Sequence, residues 1–491
     1  MKLFKNFNGY FPAFIASIFI LSLVSCEGIV DGLNENPNNP ANASAALLLT
    51  GLELGNIAFH EGHSAGIAGI WSGYFTGMDR EYKTQQDYVV SGSDFTAPWN
   101  YVYQGVFIQE KLLEERAAQV NNRLLIGIAR ILKAHAAGTA TALWGDIPYT
   151  QAADIERFPN PVYDPQKTVY DSVQVLLDHA IEDLSSGIGT SPAAADIHFG
   201  GNSANWLKVA HTLKARFYLD VRNYQKAYEE SEKGISAQAG SLLAPHGNST
   251  GNLNFYSYNR SLTDLTSESA YLPKVLDPAH ANYKGNAKTN ETARLNYYFT
   301  YQTSGTAKTK FIPNTTNTSA LVGIFAQNAS FALVTYQENL LILAEAAFRT
   351  QGFEQGLKKL NEYRAYLNSG GYLSTSYKVP ANFKYEPYVS ADFEAGGIAG
   401  KPSLTADQSL LREILLERYV AFFGQQTAFN DLRRTRNEPS GVVVPPNIGT
   451  VLPERFVYSQ TETNSNTNAP SPIPSVFEVT TVNNNIAKSN Q

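Results

Sequence analysis

The sequence predicts a mostly α-helical chain in which paired helices form a repeat-like scaffold, interrupted by one large, irregular, loop-rich insert. Three observations carry this prediction. Apolar residues recur at helical spacing in two blocks, about 98–235 and 336–436. Between them, residues 240–330 are rich in Asn, Ser, Thr, Gly and Tyr and hold no sustained period. The helical segments also come in pairs separated by short breaks, with small residues where helices would touch.

The first element is a leader. Lys2 and Lys5 precede the apolar run Phe11–Val24, which is shorter than the roughly 20 residues a membrane-spanning helix needs. A basic start, an apolar stretch and small residues before a cut site form a secretory signal, so residues 1–25 are expected to be removed. Leu23-Val24-Ser25-Cys26 closes the run and resembles the bacterial lipobox, in which lipid is attached to the cysteine. Cys26 is the only cysteine in the chain, and anchoring gives it a task that needs no second thiol. Residues 26–44, rich in Asn, Gly and Pro, read as the lipid anchor and its tether.

Helices follow from Trp99 to Ala118, Leu124 to Leu143, Val169 to Leu184 and Ala204 to Val221, the last with Ser203 as its expected N-cap. A shorter partner spans 223–235. After the insert come Tyr336 to Thr350 and Phe353 to Leu367, broken only at Gly352, a rhythm similar to a tetratricopeptide unit. A final helical stretch covers Ser409 to Arg436. One domain is therefore expected over 45–463, with a flexible tail over 464–491.

Composition excludes some functions. The 491 residues carry a formal net charge of −6 and no dense Lys/Arg run, which argues against nucleic acid as a partner. With 28 Tyr and 26 Phe beside 2 Met, aromatic rings are available for a core and for flat binding faces. His60-Glu61-Gly62-His63 lacks the zincin spacing, and no metal or other cofactor is expected. Without a P-loop, nucleophile elbow or metal-ligand cluster, the chain is expected not to be an enzyme.

The stretch 60–90 interleaves Trp71, Tyr74, Tyr82 and Tyr88 with Asp79, Arg80, Gln85, Gln86 and Asp87. Sugar binding uses such a mixture, with aromatic faces for C–H groups and planar hydrogen-bond formers for hydroxyls. The insert offers a second set, Tyr256, Tyr258, Arg260, Tyr271, Tyr283, Tyr297, Tyr298 and Tyr301. The ligand-binding candidates are Trp71, Tyr74, Asp79, Arg80, Tyr82, Asp87 and Tyr297. "LWGDIPYTQA" (143–152) reads instead as a fixed helix end, with Gly145 turning and Pro148 stopping the helix. Asp431, Arg433 and Arg434 read as an ion-pair cluster, and Glu345 as a partner for a basic side chain on a neighbouring helix.

Four stretches, in order, carry a family resemblance: "NENPNNP" (34–40); "LWGDIPYTQA"; "NLLILAEAAFRTQG" (339–352) with "LNEYRAYLN" (360–368); and "LLERYVAFFGQQTAFNDLRRT" (415–435) with "LPERFVYSQTE" (452–462). Together they resemble the SusD/RagB outer-membrane lipoproteins of Bacteroidetes, most closely the SusD-like second branch. One departure is Thr427-Ala428-Phe429, where that branch commonly has Glu-Ala-Trp. The resemblance implies a tetratricopeptide-like scaffold on the cell surface, capturing an oligosaccharide, or in some members a peptide. The ligand is then handed to a SusC-like TonB-dependent barrel without chemical change. The alternatives are a surface-anchored glycoside hydrolase and a structural or adhesive surface lipoprotein.

Overall fold

The computed structural model describes residues 44–484, except 261–263, 306, 319–320, 375–376, 378–382 and the side chain of Arg260. Cys26, the leader and the tether lie outside the described residues. Helices α1 (Ala45–Glu61), α2 (His63–Trp71), α3 (Arg80–Gln86), α4 (Thr96–Asn100), α5 (Ile108–Gln119), α6 (Arg123–Trp144), α7 (Gln166–Ser185), α8 (Ser203–Asp220) and α9 (Tyr224–Ser231) make up the first block. Helices α10 (Phe255–Arg260), α11 (Tyr271–Leu276) and α12 (Thr292–Tyr298) lie in the insert. Helices α13 (Tyr336–Gln351), α14 (Phe353–Asn368), α15 (Ala406–Ala421), α16 (Thr427–Thr435) and α17 (Gln460–Ser465) complete the chain. The fold is mostly helical and tetratricopeptide-like, with α6 against α7, α8 against α9 and α13 against α14 as its main pairs.

The longest helix shows why these segments form. Leu125, Ile128, Ala129, Leu132 and Ala136 of α6 are buried along one stripe, and Asn122 caps the start by accepting from Leu125 N (3.2 Å). Gly145 ends α6 at φ +85°, a conformation that only glycine adopts at little cost. The next residue starts α7, because Asp146 Oδ1 accepts from Gln166 N (2.8 Å). Trp144 is fully buried and donates from Nε1 to Val457 O (2.8 Å), so "LWGDIPYTQA" is scaffold. At α8 the cap is Asn202, one residue before the expected Ser203, because the amide oxygen reaches both Ala204 N and Asn205 N.

Helices α1 to α3, α10 to α12 and α17 lie where the sequence pattern predicted none. Helix α2 is buried on nearly every side, so one-sided periodicity is lost there, while α1 buries the polar Glu53 and Asn56 and leaves Leu54 exposed, which hides its stripe. A π-helical segment, Tyr101–Phe107, also joins α4 to α5.

The insert is built from short antiparallel pairs. Strand β1 (Thr76–Gly77) pairs with β3 (Leu265–Thr266), β2 (Leu242–Ala244) with β7 (Phe331–Val334), and β4 (Thr289–Asn290) with β8 (Lys384–Tyr385). The hairpin of β5 (Phe299–Ser304) and β6 (Ala307–Pro313) is the largest. A buried charge network fixes this region to α15. Lys284 Nζ lies 3.1 Å from Glu291, 3.2 Å from Glu413 and 2.6 Å from Glu417. Arg294 bridges Glu291 (2.6 Å) and Glu417 (2.9 Å), and Tyr385 donates to Glu291 (2.9 Å). On another face of α15, Arg418 meets Asp431 of α16 (2.9 Å). Glu345 of α13 takes a bidentate contact from Arg434 (2.7 and 2.6 Å). Arg433 departs from the expected ion pairs and donates to the carbonyls of Ala142, Glu454 and Phe429 instead.

The expected flexible tail is tied down through residue 484. Val476 O accepts from Glu454 N (2.6 Å), Val482 N donates to Gln166 Oε1 (2.8 Å), and Thr480 is buried. Side chains that bury on the body order the segment despite its loop-like composition.

Removing one member of a buried ion network leaves uncompensated charge. Glu345→Ala is therefore expected to cost about 3–5 kcal/mol, read as a lower urea midpoint. Burial alone would raise the Glu345 carboxyl, but Arg434 and Arg349 outweigh it and hold the group well below the usual carboxylate range. Its contribution is thus complete above the unfolded glutamate value of about 4.3 and is lost as pH falls below it. Urea midpoints measured downward from pH 6 should fall through that window, and less steeply in Glu345→Gln.

Candidate functional site

A groove of about 310 Å³ opens where α1, the π segment and the insert meet, a size within the range of small-molecule sites. Ile57, Ala58 and Glu61 come from the end of α1, and His63 from the first turn of α2. Ala97 and Tyr101 form a second wall, and His246, Thr250, Leu253, Phe255 and Tyr258 of the insert form the third. Tyr101 owes its place to a close helix crossing. A Cβ on Gly55 of α1 would lie 2.3 Å from Gly105 O, so only glycine lets the π segment sit this near. The insert wall is held by Glu61, whose Oε2 meets His246 Nε2 (2.7 Å) and whose Oε1 accepts from Phe255 N (2.8 Å). Gln85 donates to His63 Nε2 (3.2 Å), and burial lowers the His63 pKa.

Exposure singles this groove out. Among the described residues only three aromatic side chains are exposed: Tyr101 (38%), Tyr258 (53%) and Phe477 (43%). Two of the three line the same groove. Rings left in water at a concave site are the natural platforms for an amphipathic ligand. A second cavity, about 30 Å³, is enclosed in the core among His60, Arg216, Asp220 and Gln426, with room for only a water or two.

The predicted binding residues are divided between core and surface. Trp71 is 1% exposed, donates to Gln85 O (3.0 Å), and packs against Phe456 and Phe429 at 5.5 and 5.6 Å. Tyr74 is fully buried, with its hydroxyl on Tyr419 O, and Tyr82 and Tyr297 are buried as well. These four offer no face to a ligand, which corrects the sequence expectation. The polar partners stay outside. Asp79 accepts from Arg80 N (2.8 Å), Arg80 pairs with Asp264 (2.7 Å), and Asp87 pairs with Lys83. The interleaving of aromatic and polar residues thus marks an amphipathic boundary. Tyr256 and Tyr298 are core residues too, whereas Tyr258 reaches the groove.

Tyr101, Glu61, His246 and Phe255 were missed by sequence reasoning, and no local pattern brings them together. His60 and His63 do not converge: His60 stacks on His135 at 3.5 Å in the core, where burial lowers its pKa to about 3. The same stretch contains a Gly-x-Ser-x-Gly match, Gly62-His63-Ser64-Ala65-Gly66, contrary to the expectation that none is present. A nucleophile elbow requires a strand-to-helix turn, but this match joins α1 to α2. Ser64 is buried, donates to Phe59 O and accepts from Gln426 Nε2 (2.7 Å), which makes it a helix-joining group.

Trp71→Ala is accordingly expected to destabilise the protein by about 3–5 kcal/mol, the cost of deleting a packed core ring. Chemical denaturation measures it; an unchanged midpoint would return Trp71 to the surface.

Among solved structures, the fold is similar to a SusD/RagB family protein from Bacteroides thetaiotaomicron (19% identity, 87% of this chain and 95% of that one, TM-score 0.65). It is likewise similar to a chitin-binding SusD homolog from Flavobacterium johnsoniae (17% identity, 88% and 98%, TM-score 0.63). A SusD homolog from Bacteroides uniformis matches at 17% identity over 89% and 98%, with a TM-score of 0.63. No curated protein matches the chain in sequence. Residues 37–458 match the SusD-like family model, described as starch-binding and associating with the outer membrane. With the helical scaffold and the family model agreeing over most of its length, the chain belongs to the SusD-like family.

Proposed function

We propose that this protein is a surface lipoprotein that captures a glycan in the groove between α1, the π segment and the insert. It then presents the glycan to a SusC-like TonB-dependent barrel for import and leaves it chemically intact. The observation that carries this reading is the pairing of exposed Tyr101 and Tyr258 at one open groove, while every other described aromatic ring of the chain except Phe477 is buried or half-buried. Membership of a family described as starch-binding and outer-membrane-associated supports both the ligand class and the location. The solved relative from Flavobacterium johnsoniae is described as chitin-binding, which supports a polysaccharide cargo of some kind. The lipobox-like Leu23-Val24-Ser25-Cys26 supplies the anchor in this reading.

Two experiments test it. Affinity electrophoresis of the chain from Glu27 onward, against a polysaccharide panel, should show retardation with the polymer recovered intact. Tyr258→Ala and Tyr101→Ala should each weaken that retention by about tenfold or more, in keeping with aromatic anchors at binding sites. Thermal unfolding should stay closer to the parent in Tyr258→Ala than in Tyr101→Ala, since Tyr258 is 53% exposed and Tyr101 38%. Degradation of the polymer would instead make the protein a hydrolase. Separately, Cys26→Ala should move the full-length protein from the membrane fraction to the soluble one; retention in membranes would refute the lipid anchor.

A further inference from the structure

We propose that the groove accepts uncharged glycans and excludes those bearing carboxylate or sulfate groups, with Glu61 as the discriminating side chain. The inference rests on the groove being the glycan site, and it is carried by the charge around that space. Among the described residues, none lining the groove is Lys or Arg. Glu61 lies buried at the floor, and its neighbour His246 matches it one to one. That imidazole faces the Glu61 carboxylate at 2.7 Å and is its partner, not a free cation for an incoming anion.

The surroundings reinforce the sign. His63 is disfavoured as a cation by burial, and the charges that act on it, Glu81 and Asp94, are both acidic. The faces of Tyr101 and Tyr258 carry the negative side of the ring quadrupole. Recognition of a uronate or sulfate calls for a guanidinium fork or an ammonium. An acidic sugar entering here would lose water without gaining a cationic partner and would meet a like charge at the floor. A neutral sugar meets neither penalty, because its hydroxyls and C–H faces need only polar edges and rings.

The test uses isothermal titration of the chain from Glu27 onward with hexamers of α-1,4-glucose, β-1,4-N-acetylglucosamine and β-1,4-xylose, alongside oligogalacturonate and sulfated cellohexaose of the same length. At least one neutral hexamer is expected to bind, with both acidic oligomers at least about tenfold weaker. Thr250→Lys places an ammonium at the exposed rim and should narrow that gap; Glu61→Gln should narrow it too while keeping an acceptor for Phe255 N. Acidic oligomers binding as tightly as neutral ones, no neutral hexamer binding, or a gap unmoved by Thr250→Lys would each overturn the proposal. Tyr258→Ala separates the two levels. If acidic oligomers bind and the variant weakens them, the groove stands as the site and the selectivity falls. If a bound hexamer is indifferent to the variant, the site lies elsewhere and both fall.

Discussion

The structure depends on the charges buried around α15. Glu413 and Glu417 point from this helix into the insert, and Arg418 points toward α13 and α16. None of these charges could be buried alone, because desolvation of a lone ion costs far more than a domain's net stability. Each is tolerated only where its partners arrive. Lys284, Glu291 and Arg294 therefore bind the insert to the helices in a single arrangement, as Glu345, Asp431 and Arg434 do for the last helices. An apolar contact would allow sliding; a multiply bridged ion cluster does not, since a shift strands a charge. The networks act on placement more than on total stability.

That placement sets one side of the groove. The insert begins next to α1, where Glu61 holds His246 and Phe255, and it is clamped again at Lys284 and Arg294. The opposite wall needs no charge: Gly55 and Gly105 let a π segment lie close against α1 and turn Tyr101 outward. A rigid helical wall thus faces a loop wall fastened at a few polar points. Such an arrangement keeps the aromatic platform fixed while the loop sequence sets what the platform meets.

Helices α6, α7, α13 and α14 were legible in the sequence to within about three residues at each end, because their apolar residues run long at helical spacing, and α7 and α14 keep an exposed face as well. The same logic explains the failures. Helix α2 is buried nearly all round and loses the period, α1 buries Glu53 and Asn56 while Leu54 stays exposed, and the 464–484 segment has loop composition yet packs through single side chains such as Val476 and Thr480. Glu345 was readable as a buried ion because a lone carboxylate in an apolar run has few other fates. Arg433 was not, since a guanidinium that satisfies backbone carbonyls looks the same in sequence as one that meets an acid. The groove was least legible. Tyr82 and Tyr258 are both tyrosines among polar residues, and only tertiary burial separates them.

This bears on how function is placed in such a fold. A chain with 28 Tyr and 26 Phe places about half of them in its core, so aromatic content by itself says little about a ligand. Exposure says more, because leaving a ring in water forgoes about 25 cal/mol for each Å² of apolar surface not buried. The solved relatives share this fold at 17–19% identity, so the architecture tolerates wide replacement of side chains. In this chain the clamp and the helix contacts hold the architecture together. The groove takes Thr250 and Leu253 from the insert, where a side chain can change without stranding a buried charge or breaking a helix pair, whereas Glu61 of α1 and His246 form a buried pair that cannot. A scaffold of this kind can therefore alter what its groove accepts by changing rim residues such as Thr250 and Leu253, while the Glu61–His246 pair at the floor stays fixed by the contacts that hold the insert.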